Sequence, residues 1–400
     1  MKTIIKSLLA ITAVASIGSA SAETIYLSGS TAFRSSANTA IRNYCTANGG
    51  SITASNNTTL GSATRLVGTF SNSGSLHYIS VAWTGSEGGI QSAASPRSGA
   101  KAVNVAFWAT NATGTNAANA TISRPSDLAF SDTYQGTSLF NGSLGGTDYA
   151  SLVGHDGGDG IVGVVTFTWV ASKDCPITNV TSMAAQNILA GGNASVAIFT
   201  GNPAHETSGV YLIGRNSDSG TRLATFGECG FGANAAPQQY RYNSSTDIQL
   251  YPAETINGIP ALKGNSGYNS GGTVAGFMTN TLGAGTSLKV DGASSTFASN
   301  FLIGYSGISD ANSHTANGLK KLTYNGVDST TNNIANGSYS FWTYVHLYEH
   351  PNCSPLAVSV AGSIGATLQS ASTATITPNV GYNDMRVGRN GDGLSIYANY

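Results

Sequence analysis

An α/β fold is what this sequence predicts, on three observations: short apolar runs bounded by Gly and Asn, helix-compatible segments between them, and small hydroxyl-rich turns where one passes into the other. The runs are Thr24–Leu27, Tyr78–Trp83, Ala102–Trp108, Ile161–Val170, Val210–Ile213, Phe301–Tyr305 and Ser338–His346. The intervening helices are Ser35–Tyr44, Thr181–Leu189, Thr221–Phe226 and Thr273–Leu282. Three stretches rich in Asn, Ala, Ser and Thr without clear period, Ala109–Thr121, Ala233–Asn257 and Ser363–Gly381, read as loops. A chain of 400 residues is long for one core, so two domains are expected.

Composition narrows the partners. Lys and Arg number 18 against 19 Asp and Glu, with no basic run, so phosphate neutralisation along a nucleic acid has no footprint here. Charged residues are 9% of the chain, where about 25% is ordinary. Gly at 50 positions, with Ser, Thr and Asn, supplies the polarity instead, a composition that suits an exported protein.

The N-terminus agrees. Lys2 and Lys6 precede an apolar run from Leu8 to Ile17 and the small residues Ala20-Ser21-Ala22, the pattern of a signal peptide over residues 1–22. The run is too short for a membrane span, which needs ~20 residues. Glu23 stands where a lipid-anchored protein would carry Cys, so a periplasmic or secreted protein, soluble and monomeric, is expected. Four cysteines, Cys45, Cys175, Cys229 and Cys353, form no CxxC pair; an even count in an exported chain favours two disulfides, with four buried thiols as the alternative.

Three turns carry the chemistry. Strand Thr24–Leu27 runs into Ser28-Gly29-Ser30-Thr31-Ala32-Phe33 and then a helix, so backbone N–H groups and two hydroxyls converge where an anion can sit. Thr84-Gly85-Ser86-Glu87-Gly88-Gly89 follows the strand ending at Trp83, and Arg215-Asn216-Ser217-Asp218-Ser219-Gly220-Thr221 follows Val210–Ile213. Arg215 brings a planar fork of charged donors. Each turn alone is also an ordinary helix cap; the three together suggest an anion cradle built mainly from neutral donors.

In this order the residues resemble the periplasmic phosphate-binding proteins that serve ABC transporters. The resemblance rests on Gly29-Ser30-Thr31-Ala32-Phe33, with Ala32 as an insertion before the Phe, on Gly85-Ser86-Glu87-Gly88-Gly89, on Ala129-Phe130-Ser131-Asp132, and on Arg215 with Ser219-Gly220-Thr221. Leu302–Tyr305 and Asn336–Trp342, which lacks the family's proline, extend it over most of residues 24–346. It implies a two-lobed periplasmic-binding-protein fold of type II with the ligand cleft between lobes and two chain crossings. Lobe 1 would be 23–165 plus 306–400, and lobe 2 would be 166–305. It implies inorganic phosphate as ligand, an ABC permease as partner, and no catalytic, metal or cofactor site. Ser30, Thr31, Ala32 and Ser86 would donate from one lobe and Ser219, Gly220 and Thr221 from the other, with Arg215 as the cation and Asp132 as acceptor of a ligand proton. Ser309-Asp310 is a competing Ser-Asp pair, set aside because the family's pair precedes the first crossing. Those lobes would place Cys45 with Cys353 and Cys175 with Cys229, so pairing within lobes is expected.

Other clusters are weaker. His155-Asp156-Gly157-Gly158-Asp159 reads as a Gly-rich loop rather than a metal site, and His346 and His350 lie in a strand-like aromatic run. Two further classes stay open at this level: a phosphatase-like relative, for which no nucleophile or metal cluster is visible, and an extracellular structural or adhesive protein.

Overall fold

The computed structural model describes residues 21–115, 118–253, 255, 262–376 and 379–399, so positions 1–20 of the expected signal peptide lie outside the described residues. Ten strands organise it: β1 (Thr24–Gly29), β2 (Ile52–Ser55), β3 (Arg65–Asn72), β4 (Ser75–Ala82), β5 (Leu128–Ser131), β6 (Ile161–Ala171), β7 (Asn193–Ser195), β8 (Ser208–Ile213), β9 (Ser299–Gly307) and β10 (Trp342–Glu349). The helices that matter below are α1 (Arg34–Ala47), α2 (Ser86–Ala94), α3 (Ser182–Gly191), α4 (Gly220–Glu228), α5 (Gly271–Phe277), α6 (Ile308–His314) and α7 (Pro355–Ser370).

One mixed sheet contains all ten strands in the order β7-β8-β9-β6-β10-β5-β1-β4-β3-β2. Each half has a parallel core inside an antiparallel edge: β1 lies parallel to β4 and β5, and β8 parallel to β9, whereas β2, β3 and β4 pair antiparallel at one edge and β7 with β8 at the other. The join is β6. Its first half pairs antiparallel with β10, from Ile161 opposite His346 to Thr166 opposite Trp342. Its second half pairs with β9, from Phe167 opposite Gly307 to Ala171 opposite Ile303. Every residue of β6 after Ile161 is buried, which is why apolar residues stand on both faces of this stretch, interrupted only by Gly163, Thr166 and Thr168. Trp169 packs edge-on against Tyr305 of β9, centroids 5.8 Å apart, and Tyr305 in turn meets Phe226 of α4.

Several expectations need correction. The stretch Ser363–Gly381 is not a loop at its start, because α7 continues to Ser370 with Val360, Ala361, Ile364 and Leu368 buried. Its small residues hid the helical spacing, while Ser354, whose Oγ accepts the Ala357 N–H, and Pro355 mark its start. Within Ala233–Asn257 a hairpin forms, Tyr240–Ser244 against Asp247–Leu250; residues 254, 256 and 257 lie outside the described residues. The helix expected at Thr273–Leu282 ends at Phe277, where Thr279 and Asn280 side chains donate back to the Gly276 and Phe277 carbonyls. The last strand starts at Trp342, since Ser338–Phe341 turn so that the Tyr339 hydroxyl can donate to the Phe167 carbonyl.

Neither expected disulfide is formed; Cys45, Cys175, Cys229 and Cys353 are all free thiols. Cys45 on α1 faces Gly68 of β3, whereas Cys353 lies in the turn after β10 near Glu349 and Asp127. Cys229 follows α4 with its Sγ 3.8 Å from the Tyr324 hydroxyl, and the carbonyl of Cys175 accepts from Lys320. Burial pushes the Cys45 and Cys229 thiols up to about 12, so they behave as small apolar groups.

Candidate functional site

The site lies where the turns after β1, β4, β5 and β8 meet. Ser30, directly after β1, accepts the Phe33 N–H on its Oγ at 3.1 Å and lies beside Asp132. Ser86 opens α2 and accepts the Asp132 N–H at 3.1 Å. Ser219 caps α4, accepting the Arg222 N–H at 3.2 Å. The Arg215 guanidinium reaches Thr31 Oγ1 and Thr221 Oγ1, both at 3.4 Å, from its two Nη atoms. A hydroxyl that already accepts still has a proton to give. Thr31, Ser86, Ser219 and Thr221 all accept from the protein, so each hydroxyl proton can still be offered elsewhere. The first N–H groups of α4, those of Gly220 and Thr221, have no partner within the helix by its geometry and add to the set.

Arg215 is held as firmly as it is buried, with 2% of its surface exposed. Its Nε donates to the Tyr268 carbonyl at 3.2 Å and one Nη to the Asn269 carbonyl at 3.1 Å. Its own carbonyl accepts from Gln239 and Arg222, and its N–H donates to the Tyr305 hydroxyl at 3.2 Å. Gln239 is fixed in turn by that same hydroxyl, which donates to its Oε1 at 2.7 Å.

Asp132 is the counterweight. It is buried, and its Oδ1 has no hydrogen-bond partner among the described residues. Loss of hydration raises its carboxyl to about 6, against the pull of its backbone hydrogen bond, of Arg215 and of Ser30. Gly220 comes so close that a Cβ there would stand 2.2 Å from Asp132 Oδ1 and 2.6 Å from Ser86 Oγ. Only glycine allows that approach. Beside it the two halves of the sheet touch directly: the Glu87 and Gly88 N–H groups donate to the Asp218 carbonyl at 3.0 and 3.4 Å.

The structure thus brings together Ser30, Thr31, Ser86, Asp132, Arg215, Ser219, Gly220 and Thr221. Ala32 differs: it lines a neighbouring cleft of about 240 Å³ with Thr31, Arg34, Thr166, Ser309 and Asp310. Asp310, set aside in the sequence, also faces Arg215 and Arg34, and both cations offset the rise that burial imposes on its carboxyl. The carboxyls of both Ser-Asp pairs therefore stand near one guanidinium. Arg34 was missed although it directly follows the first turn. Gln239, Tyr268 and Asn269 carry no local signal, since they act through an amide or through main-chain carbonyls.

Behind Asp132 stand two more buried acids. Glu87 accepts from Thr133 Oγ1 at 2.9 Å and Ser138 Oγ at 2.6 Å, and burial lifts it to about 7. Asp392 accepts the Tyr134 N–H at 2.9 Å and is likewise lifted to about 7. The other clusters are structural. Asp156 Oδ1 accepts the Gly158 and Gly160 N–H groups and closes the Gly-rich turn, while buried His346 has Nδ1 2.7 Å from the Asp159 carbonyl oxygen. No helix among the described residues is long and apolar enough to cross a membrane.

No protein-family model and no curated protein matches the sequence. Solved structures to which the chain is similar include a Clostridium perfringens protein with bound phosphate, at 14% identity and TM-score 0.46, covering 90% of this chain and 99% of that one. An ABC-type phosphate transport receptor from Vibrio cholerae aligns at 13% identity and TM-score 0.44, over 89% and 99% of the two chains. PstS from Borrelia burgdorferi aligns at 14% identity and TM-score 0.39, over 90% and 98%.

Proposed function

We propose that this chain binds one inorganic phosphate between the two halves of its sheet and acts as the exported binding component that hands phosphate to an ABC permease. The observation that carries the reading is the polarity of the hydroxyls: four of them accept from the protein around a buried guanidinium, a state in which a hydroxyl can still donate to a ligand. Such a set suits an oxyanion and repels a cation. The unpartnered carboxylate oxygen that faces Gly220 and Ser86, Asp132 Oδ1, selects an anion that still carries a proton, as phosphate does near neutrality. Sulfate would place a second set of lone pairs against it, a mismatch that costs discrimination energy in a buried site.

The proposed lobes, 23–165 with 306–400 and 166–305, put Ser30, Thr31, Ser86 and Asp132 on one side and Arg215 with Ser219–Thr221 on the other. Ligand capture is then closure of one wall on the other, and the chain works as a periplasmic or secreted monomer. Titration calorimetry of the mature protein tests this: one phosphate per chain is expected, with sulfate at least tenfold weaker. No heat with phosphate, or equal affinity for sulfate, removes the reading.

A further inference from the structure

We propose that the C-terminal loop Arg389–Gly393 is a strap that holds the two walls of the site together independently of any anion. The loop is carried by a short antiparallel pair, Val387–Gly388 with Tyr397–Ala398. Toward one wall, Asp392 Oδ2 accepts the N–H of Tyr134, two residues beyond Asp132, and the Tyr134 hydroxyl donates to the Arg389 carbonyl at 3.1 Å. Toward the other wall, Arg389 pairs with Glu228, the last residue of α4, at 3.0 Å. Gly393 lies directly on that helix's final turn, where a Cβ would stand 2.3 Å from the Gly227 carbonyl carbon. Arg389 also donates to the Ser340 carbonyl at 2.7 Å and stacks over Trp342 at 4.2 Å.

The placement gives these contacts a consequence. One end of α4 bears Ser219, Gly220 and Thr221, and the strap grips the other end. The loop that leaves β5 bears Asp132, and the strap grips it two residues later. Separating the walls therefore breaks one grip or the other, the buried carboxylate hydrogen bond or the buried ion pair, as well as the Asp218 contacts beside the site. A two-wall protein without such a tie opens until ligand binding favours the closed form. Here the tie favours closure beforehand, so ligand exchange waits on release of the strap.

Hydrogen exchange on the ligand-free protein tests this, because the Glu87 N–H donates across the walls to Asp218. Asp392→Ala cuts the first grip; a double change, Arg389→Met with Glu228→Gln, cuts the second without leaving an unpaired buried charge. In both, the Glu87 amide should exchange at least tenfold faster than in the wild type while β6 amides keep their protection. Unchanged Glu87 exchange overturns the strap, and so does simultaneous loss of β6 protection, which would make the segment part of the core. A second arm, which rests on the phosphate reading, measures release of inorganic phosphate by stopped flow and expects at least tenfold acceleration. A wild type that binds no phosphate sinks that reading, whereas the exchange arm alone decides the strap.

Discussion

The wall formed by the turns after β1, β4 and β5 presents hydroxyls and one carboxyl, and it is backed by two further buried acids, Glu87 and Asp392. The wall formed by the turn after β8 and the start of α4 presents a guanidinium, two hydroxyls and a helix N-terminus, with no carboxylate of its own among the proposed ligand groups. On the proposed reading, the second wall attracts any tetrahedral anion. The first would penalise anions that lack a proton. Affinity and selectivity would thereby be divided between two parts of the chain that can be perturbed separately.

The largest effect should come from forcing the walls apart. Gly220→Ala introduces a Cβ into the contact with Asp132 and Ser86, so phosphate binding should fall by more than a hundredfold while the fold survives; calorimetry with a circular-dichroism melt checks both. Arg215→Ala removes the charged donor of the attracting wall and should weaken phosphate and sulfate together by about 1.5–3 kcal/mol, the range for hydrogen bonds to charged groups. A loss confined to one of the two anions would contradict the division.

The acid-backed wall predicts a pH dependence of stability in the ligand-free protein. Glu87 and Asp392 are lifted to about 7 and Asp132 to about 6, whereas unfolded carboxyls titrate near about 4. The native state thus holds protons that the unfolded state has released, and stability falls as pH rises through the folded values. Between pH 6.5 and 8 the loss should be about 1–2 kcal/mol, with buried Glu349, also lifted to about 7, adding in the same direction. His346 opposes it only below its ordinary 6.5, because burial holds it down to about 4. Urea titrations at the two pH values measure the difference; higher stability at pH 8 would mean these acids are ionised in the native state. The smallest effect concerns Asp132→Asn, whose amide can donate where the carboxylate could not. It should narrow the phosphate-to-sulfate ratio by about tenfold, or ~1.4 kcal/mol, with competition binding as the measure.

Each turn of the site was legible in the sequence, because a strand, a hydroxyl-rich junction and a helix start are local patterns whose main-chain donors follow from geometry. The same locality made β1, α1 and β6 readable. It failed for α7, whose buried positions are mostly small, and for the cysteines. An even count says nothing of whether two thiols share a place in the fold, and Cys45 and Cys353 have different neighbours. Only the tertiary structure decided that Asp132 and Asp310 both flank Arg215, that Gly220 meets Asp132, and that Asp392 stands behind them from 260 positions further along the chain. Backbone preference and apolar period act over a few residues, whereas the pairing of a buried charge is settled by which distant groups the sheet order brings within reach.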